Sequence, residues 1–196
     1  MKGNDWIRFT WDLPALSLSE PALPEHYQIA PATAEDEKEM RKVISSSLTL
    51  DPTWNPAMQE VMQTIDGWLA VASGTDKSVF LALRHGLRII GAAVISLDPT
   101  AENHLLPGPC IMMEYRNRGF GTQLLERSLA SLRSAGLVRA SAIGRANSPV
   151  TKFLYTKFRS TTAPHEISPG VGVQGRAVVR GAALWSTAAR DVPVRP

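Results

Sequence analysis

Residues Arg116-Asn117-Arg118-Gly119-Phe120-Gly121-Thr122 set two arginines and two glycines between an apolar run and a segment patterned as a helix. The first turn of a helix carries amide N–H groups without intrahelical acceptors, and the helix dipole adds about half a positive charge there. Glycine lets backbone approach an anion closely and tolerates positive φ. The stretch is therefore competent to cradle a phosphate or pyrophosphate; the alternative is a plain strand-to-helix turn with solvated arginines. Two phosphate loops do not fit it. A dinucleotide-binding turn needs a third glycine where Leu124 stands, and a nucleoside-triphosphatase loop needs a lysine between the last glycine and Thr122.

The surrounding charge agrees with an anionic ligand. Between Tyr115 and Ser160, Arg116, Arg118, Arg127, Arg133, Arg139, Arg145, Lys152, Lys157 and Arg159 face only Glu126, within a chain of net charge +3. The partner is either nucleic acid or a phosphorylated small molecule. No nucleic-acid motif and no interleaved aromatics accompany these arginines, so nucleic acid is not expected. Cys110 is the sole cysteine; it excludes an intramolecular disulfide and, between apolar neighbours, reads as a buried structural thiol. His26, His85 and His165 have no ligand spacing, and no metal is expected. Without an apolar run of membrane-spanning or signal length, a cytoplasmic protein with no membrane partner is expected.

The elements that position the loop follow from periodicity. Ile7, Phe9, Trp11 and Leu13 alternate with polar residues, predicting a short strand, and the prolines at 14, 21 and 24 predict a linker. "YQIA" begins the main domain. Thr33 and the acidic run after it open a helix carrying Met40, Val43, Ile44 and Leu48; a second helix is expected from Pro56 to Gly67. Two apolar runs around His85-Gly86 predict a hairpin, and a third runs from Leu105 to Met113. After the glycine loop, Phe120, Leu124, Leu125, Leu129 and Leu132 predict a helix stopped by Gly136. A strand over 137–144, a helix over 149–158 and a strand within "GRAVVRGAALW" complete the chain. This order describes an α/β fold: one layered domain over 27–190, with a mixed central sheet and helices on both faces. An extension over 1–26 precedes it and a tail over 191–196 follows.

Glu114-Tyr115-Arg116-x-x-Gly119-x-Gly121, with Ile111 and Met113 ahead of it, resembles the acyl-CoA loop V-x-P-x-Y-R-x-x-G-x-G of the GNAT acyltransferase superfamily. "ANSPVTKFLYTKF" places Asn147 and Tyr155 eight residues apart after the next strand, as that family does, and "APATAEDEKEM" echoes its opening. The resemblance spans about residues 27–158. It implies a GNAT-like fold that transfers an acetyl group directly from acetyl-CoA to a primary amine of a small molecule, protein or peptide. Acetyl-CoA would lie between splayed strands, with backbone groups of Ile111, Met112 and Met113 on the pantetheine arm. The amides of Arg116, Asn117, Arg118, Gly119, Phe120, Gly121 and Thr122 would hold the pyrophosphate, with Asn147 completing the cofactor site. Tyr155 would protonate the departing thiolate, unless it is a core tyrosine capping backbone. Glu102 or His104, just ahead of the third apolar run, would be the general base, unless both are solvated loop residues. Trp54 and Trp68 flank the second helix, bordering the acceptor site in this family, although core packing explains them better. A non-catalytic acyl-CoA-binding sensor or partner module is the alternative, and monomer and homodimer both remain open. One departure stands out: Arg159 occupies a helix exit where the family carries a glycine in left-handed conformation.

Overall fold

Alternating side chains at the N-terminus fold as strand β1, Trp6–Asp12, with Phe9 and Trp11 buried on one face. The structure, a computed structural model, describes residues 6–19, 22–51, 77–105 and 107–165. The expected helix at 56–67 with Trp54 and Trp68, the strand within "GRAVVRGAALW" and the tail lie outside the described residues. β2 is Tyr27–Pro31. The acidic run after Thr33 forms a 3-10 turn, Ala34–Asp36, whose Asp36 carboxylate accepts the Thr33 N–H at 2.8 Å. Helix α1, Glu37–Thr49, continues from it.

Strands β3, Ser78–His85, and β4, Arg88–Ser96, form the hairpin expected around Gly86, and β5 is only Cys110–Ile111. The third apolar run is short as a strand because Pro107 and Pro109 have no N–H to donate to a ladder. Helix α2, Phe120–Ser134, ends near Gly136, where φ is +88°. β6 is Arg139–Arg145, α3 Pro149–Phe153 and β7 Thr161–Pro164. β7 was not anticipated: all four residues are exposed, so no alternation marks it.

Among the described residues, all strand pairings are antiparallel and fall into two sheets, ordered β2-β3-β4-β5 and β6-β1-β7. Successive β3 and β4 residues point to opposite faces. Leu81, Leu83, Ile90, Ala93 and Ile95 pack with the leucines of α2, while Ala82, Ile89, Ala92 and Val94 pack with Met40, Val43, Ile44 and Leu48 of α1. Helices thus cover both faces, as the α/β fold class requires.

β1 is the middle strand of its sheet, paired from Trp6↔Arg145 to Asp12↔Arg139 on one side and from Ile7↔Pro164 to Thr10↔Thr161 on the other. The proline-bearing segment after it is a strap fastened across α2 rather than a loose linker. Leu13 N–H donates to Val138 O (3.0 Å), Arg133 to Leu16 O (2.9 Å), Ser19 N–H to Glu126 (2.8 Å) and Gln123 to Ala22 O (3.0 Å).

Candidate functional site

The site begins where the two sheets part. His104 N–H donates to Ser141 O on β6 (2.8 Å), and His104 O accepts from Ser96 N–H on β4 (2.9 Å). Leu105 then bridges to Ile95, and β5 stays on β4 through Ala92↔Cys110 and Gly91↔Ile111. β6 meanwhile pairs with β1. A gap therefore opens between β5 and β6 beyond His104, its vertex lined by Pro107-Gly108-Pro109.

Ile111 presents its main chain to this gap. Met112 N–H bonds to Ile90 O at 2.9 Å, so the neighbouring Gly91↔Ile111 pair is the non-hydrogen-bonded kind and the Ile111 N–H and C=O point away from β4. The Ile111 carbonyl is occupied from within. Ser47 Oγ of α1 donates to it at 2.9 Å and Arg116 Nε at 3.0 Å, while Arg116 Nη2 also reaches Ser47 O at 3.2 Å. Arg116 thus braces loop, strand and helix with its charge-assisted donors. Expected as charge for the anion, its guanidinium is spent on protein carbonyls.

Beyond it, Met113 is exposed in a 3-10 turn, Met113–Tyr115. Asn117 and Gly119 both take positive φ, +61° and +83°, which asparagine tolerates and glycine adopts without steric cost. Thr122 and Gln123 N–H turn back on Gly119 O at 3.0 and 3.2 Å, and Arg116 N–H is taken by Met113 O. The helix start leaves the Phe120 and Gly121 amides without intrahelical acceptors. The amides suited to an anion are therefore fewer than the seven expected. Arg118 is the exposed cation beside them, lying over the Tyr115 ring at 5.6 Å. Phe120 is buried and stacks on Tyr27 at 4.7 Å, anchoring the loop to β2. Asn147 is exposed in the β6–α3 turn, where Ser148 N–H bonds to Arg145 O (3.0 Å).

Tyr155 is buried beside the vertex: a Cβ built on Gly108 would lie 1.8 Å from its hydroxyl. Its ring packs against Phe9 at 5.4 Å and edge-on to Trp11 at 5.7 Å. The helix expected to carry Tyr155 stops at Phe153, so Tyr155 stands in the turns that follow. Burial raises the Tyr155 pKa well above the ordinary phenol value and keeps the hydroxyl protonated. The same cause pushes the nearby Cys110 thiol up to about 12, so it stays a thiol, donating to Gly108 O at 3.3 Å.

The two base candidates differ in kind. The Glu102 carboxylate is exposed and pairs with Arg8 of β1 at 3.3 Å, keeping acceptor capacity toward solvent. His104 is buried; its Nδ1 accepts the Ser141 N–H at 3.1 Å, which assigns the proton of the neutral ring to Nε2. Nε2 makes no hydrogen bond of acceptable geometry among the described residues. So placed, His104 offers no lone pair to a substrate.

Burial also holds the His104 pKa below the ordinary value of 6.5. An unfolded chain then binds a proton that the folded ring refuses. Its contribution is complete above about pH 6.5 and is lost as pH falls below that value toward the lowered folded pKa. The expected outcome is a shallower decline in unfolding free energy between about pH 7 and pH 5 for H104N, whose amide oxygen can still accept from Ser141. Equal slopes in urea titrations of the two proteins would refute it.

Sequence reading missed Ser47, Gly108, Ser141 and the partners of Trp11. Only Gly108, between two prolines, carried a local signal, and that signal said turn rather than site.

Comparison with known proteins bears on family and fold. Residues 37–158 match the family model described as Acetyltransferase (GNAT) family. No curated protein matches the chain. Among solved structures, a Drosophila protein superposes with TM-score 0.57 at 13% identity, covering 81% of this chain and 48% of its own. A conserved Staphylococcus epidermidis protein of unknown function gives 0.53 at 12%, over 81% and 57%. A protein from Novosphingobium aromaticivorans ascribed to the GNAT family gives 0.50 at 16%, over 82% and 61%. The chain thus spans about half to three-fifths of the length of these three, and the likeness is one of fold. Among the described residues, no helix is long and apolar enough to cross a membrane, and no group of three His, Cys, Asp or Glu could hold a metal.

Proposed function

The chain belongs to the acetyltransferase (GNAT) family, and from that premise we propose that it transfers an acetyl group directly from acetyl-CoA to a primary amine of a small molecule, protein or peptide. The observation that carries this reading is the gap between β5 and β6, with the Ile111 main chain along one side and the buried Tyr155 at its vertex. The unpaired amides at the start of α2, with Arg118 beside them, suit the pyrophosphate.

The attacking amine forms a C–N bond to the thioester carbonyl carbon. Of the amides at 111 and 112, that of Met112 is taken by Ile90, which leaves Ile111 N–H to stabilise the oxyanion. The C–S bond then breaks, and coenzyme A leaves as a thiolate that takes the Tyr155 proton. The ammonium proton leaves through water to Glu102. A lysine-like amine of pKa about 10.4 is neutral about once in a few thousand at pH 7, a cost of about 4.6 kcal/mol. A base typically recovers about 10²- to 10⁴-fold, which is the scale required. His104, its lone pair given to Ser141, serves the join between the sheets.

The test combines binding and turnover. Acetyl-CoA should raise the melting temperature, because it binds the folded state. Free thiol should then appear with at least one of spermidine, an arylamine, free lysine and a lysine-containing peptide. Stabilisation without thiol release from any amine would favour an acyl-CoA-binding module instead. Absence of both stabilisation and thiol release would refute the reading.

A further inference from the structure

Tyr155 lies two residues past the end of α3, and its N–H reaches back to Val150 O at 2.9 Å, which ties its backbone but not its side chain to the helix. The turn that carries it is costly. Phe158 and Arg159 both adopt left-handed backbone, φ +57° and +54°, a region where side-chain-bearing residues are strained. Contacts from outside the turn offset that cost and set the Tyr155 side chain.

The contacts that do so come largely from β1, which the matched residues 37–158 do not include. Trp11, fully buried, donates its indole N–H to Lys157 O at 3.0 Å, one residue before the strained pair. The same ring meets Tyr155 edge-on at 5.7 Å, and Phe9, two residues earlier on the same face, lies 5.4 Å from it. Local bonds to the backbone, Tyr155 N–H to Val150 O, Lys157 N–H to Leu154 O and Ser160 Oγ to Tyr155 O, close the turn but do not touch the Tyr155 ring. Trp11 is itself held in the sheet, paired with Ala140 of β6, and β7 pairs with the other side of β1 as far as Thr10.

We infer that Trp11 is a positioning residue for acyl transfer: its indole N–H on Lys157 O and its ring edge on Tyr155 together set where the Tyr155 hydroxyl meets the vertex of the gap. The inference rests on the role given to Tyr155 in the proposed reaction. Trp11 touches no reacting atom and acts through Tyr155 alone. That makes its effect non-additive with loss of the hydroxyl, whereas a residue that only supports the fold would act independently of it.

Four proteins test this: wild type, W11F, Y155F and W11F/Y155F, assayed with acetyl-CoA and whichever amine of the panel above supports turnover. W11F keeps a ring and removes the N–H. Its kcat should fall about ten- to a hundredfold, the scale of a misplaced catalytic group, with the acetyl-CoA KM within about twofold. In the Y155F background, W11F should cost nothing further. A second readout needs no turnover. The chain has three tyrosines, so ring-carbon-labelled tyrosine gives three NMR signals. In W11F the Tyr155 signal should move, while those of Tyr27 and Tyr115 stay. Wild-type kcat in W11F beside an impaired Y155F overturns the inference, as does the same fold-loss in both backgrounds. If Y155F turns over like wild type, the acid role of Tyr155 fails, and an unmoved Tyr155 signal in W11F would then overturn the positioning as well. Benzothienylalanine at position 11, which keeps the bicyclic shape and lacks the N–H, replaces W11F in every arm if that variant does not fold.

Discussion

Replacing Tyr155 with phenylalanine should lower kcat at least tenfold while acetyl-CoA affinity stays near wild type. The change removes one oxygen and keeps the ring, so the packing with Phe9 and Trp11 survives and stability should change little. What is lost, in the proposed reaction, is the proton for the leaving thiolate. Protonation matters because the tetrahedral intermediate can collapse either way, and neutralising the sulfur commits it forward. Burial makes Tyr155 a weaker acid than a free phenol, which at first sight argues against the role. The same dry surroundings disfavour a thiolate equally, and Cys110 beside the site is pushed up to about 12. A desolvated thiolate therefore holds a proton more tightly than a solvated one, which offsets the weakening of the acid. The raised tyrosine pKa has a second consequence: no alkaline loss of kcat from tyrosine ionisation should appear up to about pH 10. Steady-state kinetics of Y155F with unchanged kcat would remove the hydroxyl from the mechanism.

Gly108→Ala should be as damaging, by geometry rather than chemistry. The new methyl would lie 1.8 Å from the Tyr155 hydroxyl and 2.8 Å from the ring carbon bearing it, where real contacts are never found. The ring has little room to retreat, with Phe9 and Trp11 behind it. Either Tyr155 or the Pro107-Gly108-Pro109 turn must shift by more than about 1 Å, enough to cost about 10²-fold in turnover. Overpacking of this kind costs about 1–3 kcal/mol, and each kcal/mol lowers Tm by about 2–4 °C for a chain of this size. Removing the oxygen relieves the worst contact, so G108A/Y155F should melt above G108A. Wild-type kcat and Tm in G108A would contradict the placement of the hydroxyl.

The two expectations differ in how far sequence could support them. Tyr155 was reachable through the family resemblance, which its spacing to Asn147 and the glycine loop upstream carry. Gly108 was not, because its importance lies in a residue 47 positions later that no local pattern connects to it. Helix α3 shows the same limit within one element. Its pattern runs on to Phe158, yet the helix ends at Phe153, and past it Lys157 O bonds to Trp11 while Phe158 and Arg159 turn left-handed. Arg116 is a third case. Residue type argued for an anion partner, and folding gave its donors to Ile111 and Ser47.

Sequence by itself determined the local, periodic parts of this protein. The strand Trp6–Asp12, the hairpin at Gly86, the core face of α2 and its stop at Gly136 all follow from spacings of two or about four residues and from glycine's backbone freedom. It also located the glycine loop ahead of α2, because a helix start after a strand needs only neighbouring residues. Tertiary structure alone decided that β1 stands between β6 and β7, that the sheets part beyond His104, and that Trp11 and Gly108 meet at Tyr155. Those contacts join residues tens to more than a hundred positions apart. Burial and backbone pairing choose them from the whole fold, and nothing in the periodicity of either partner records the other.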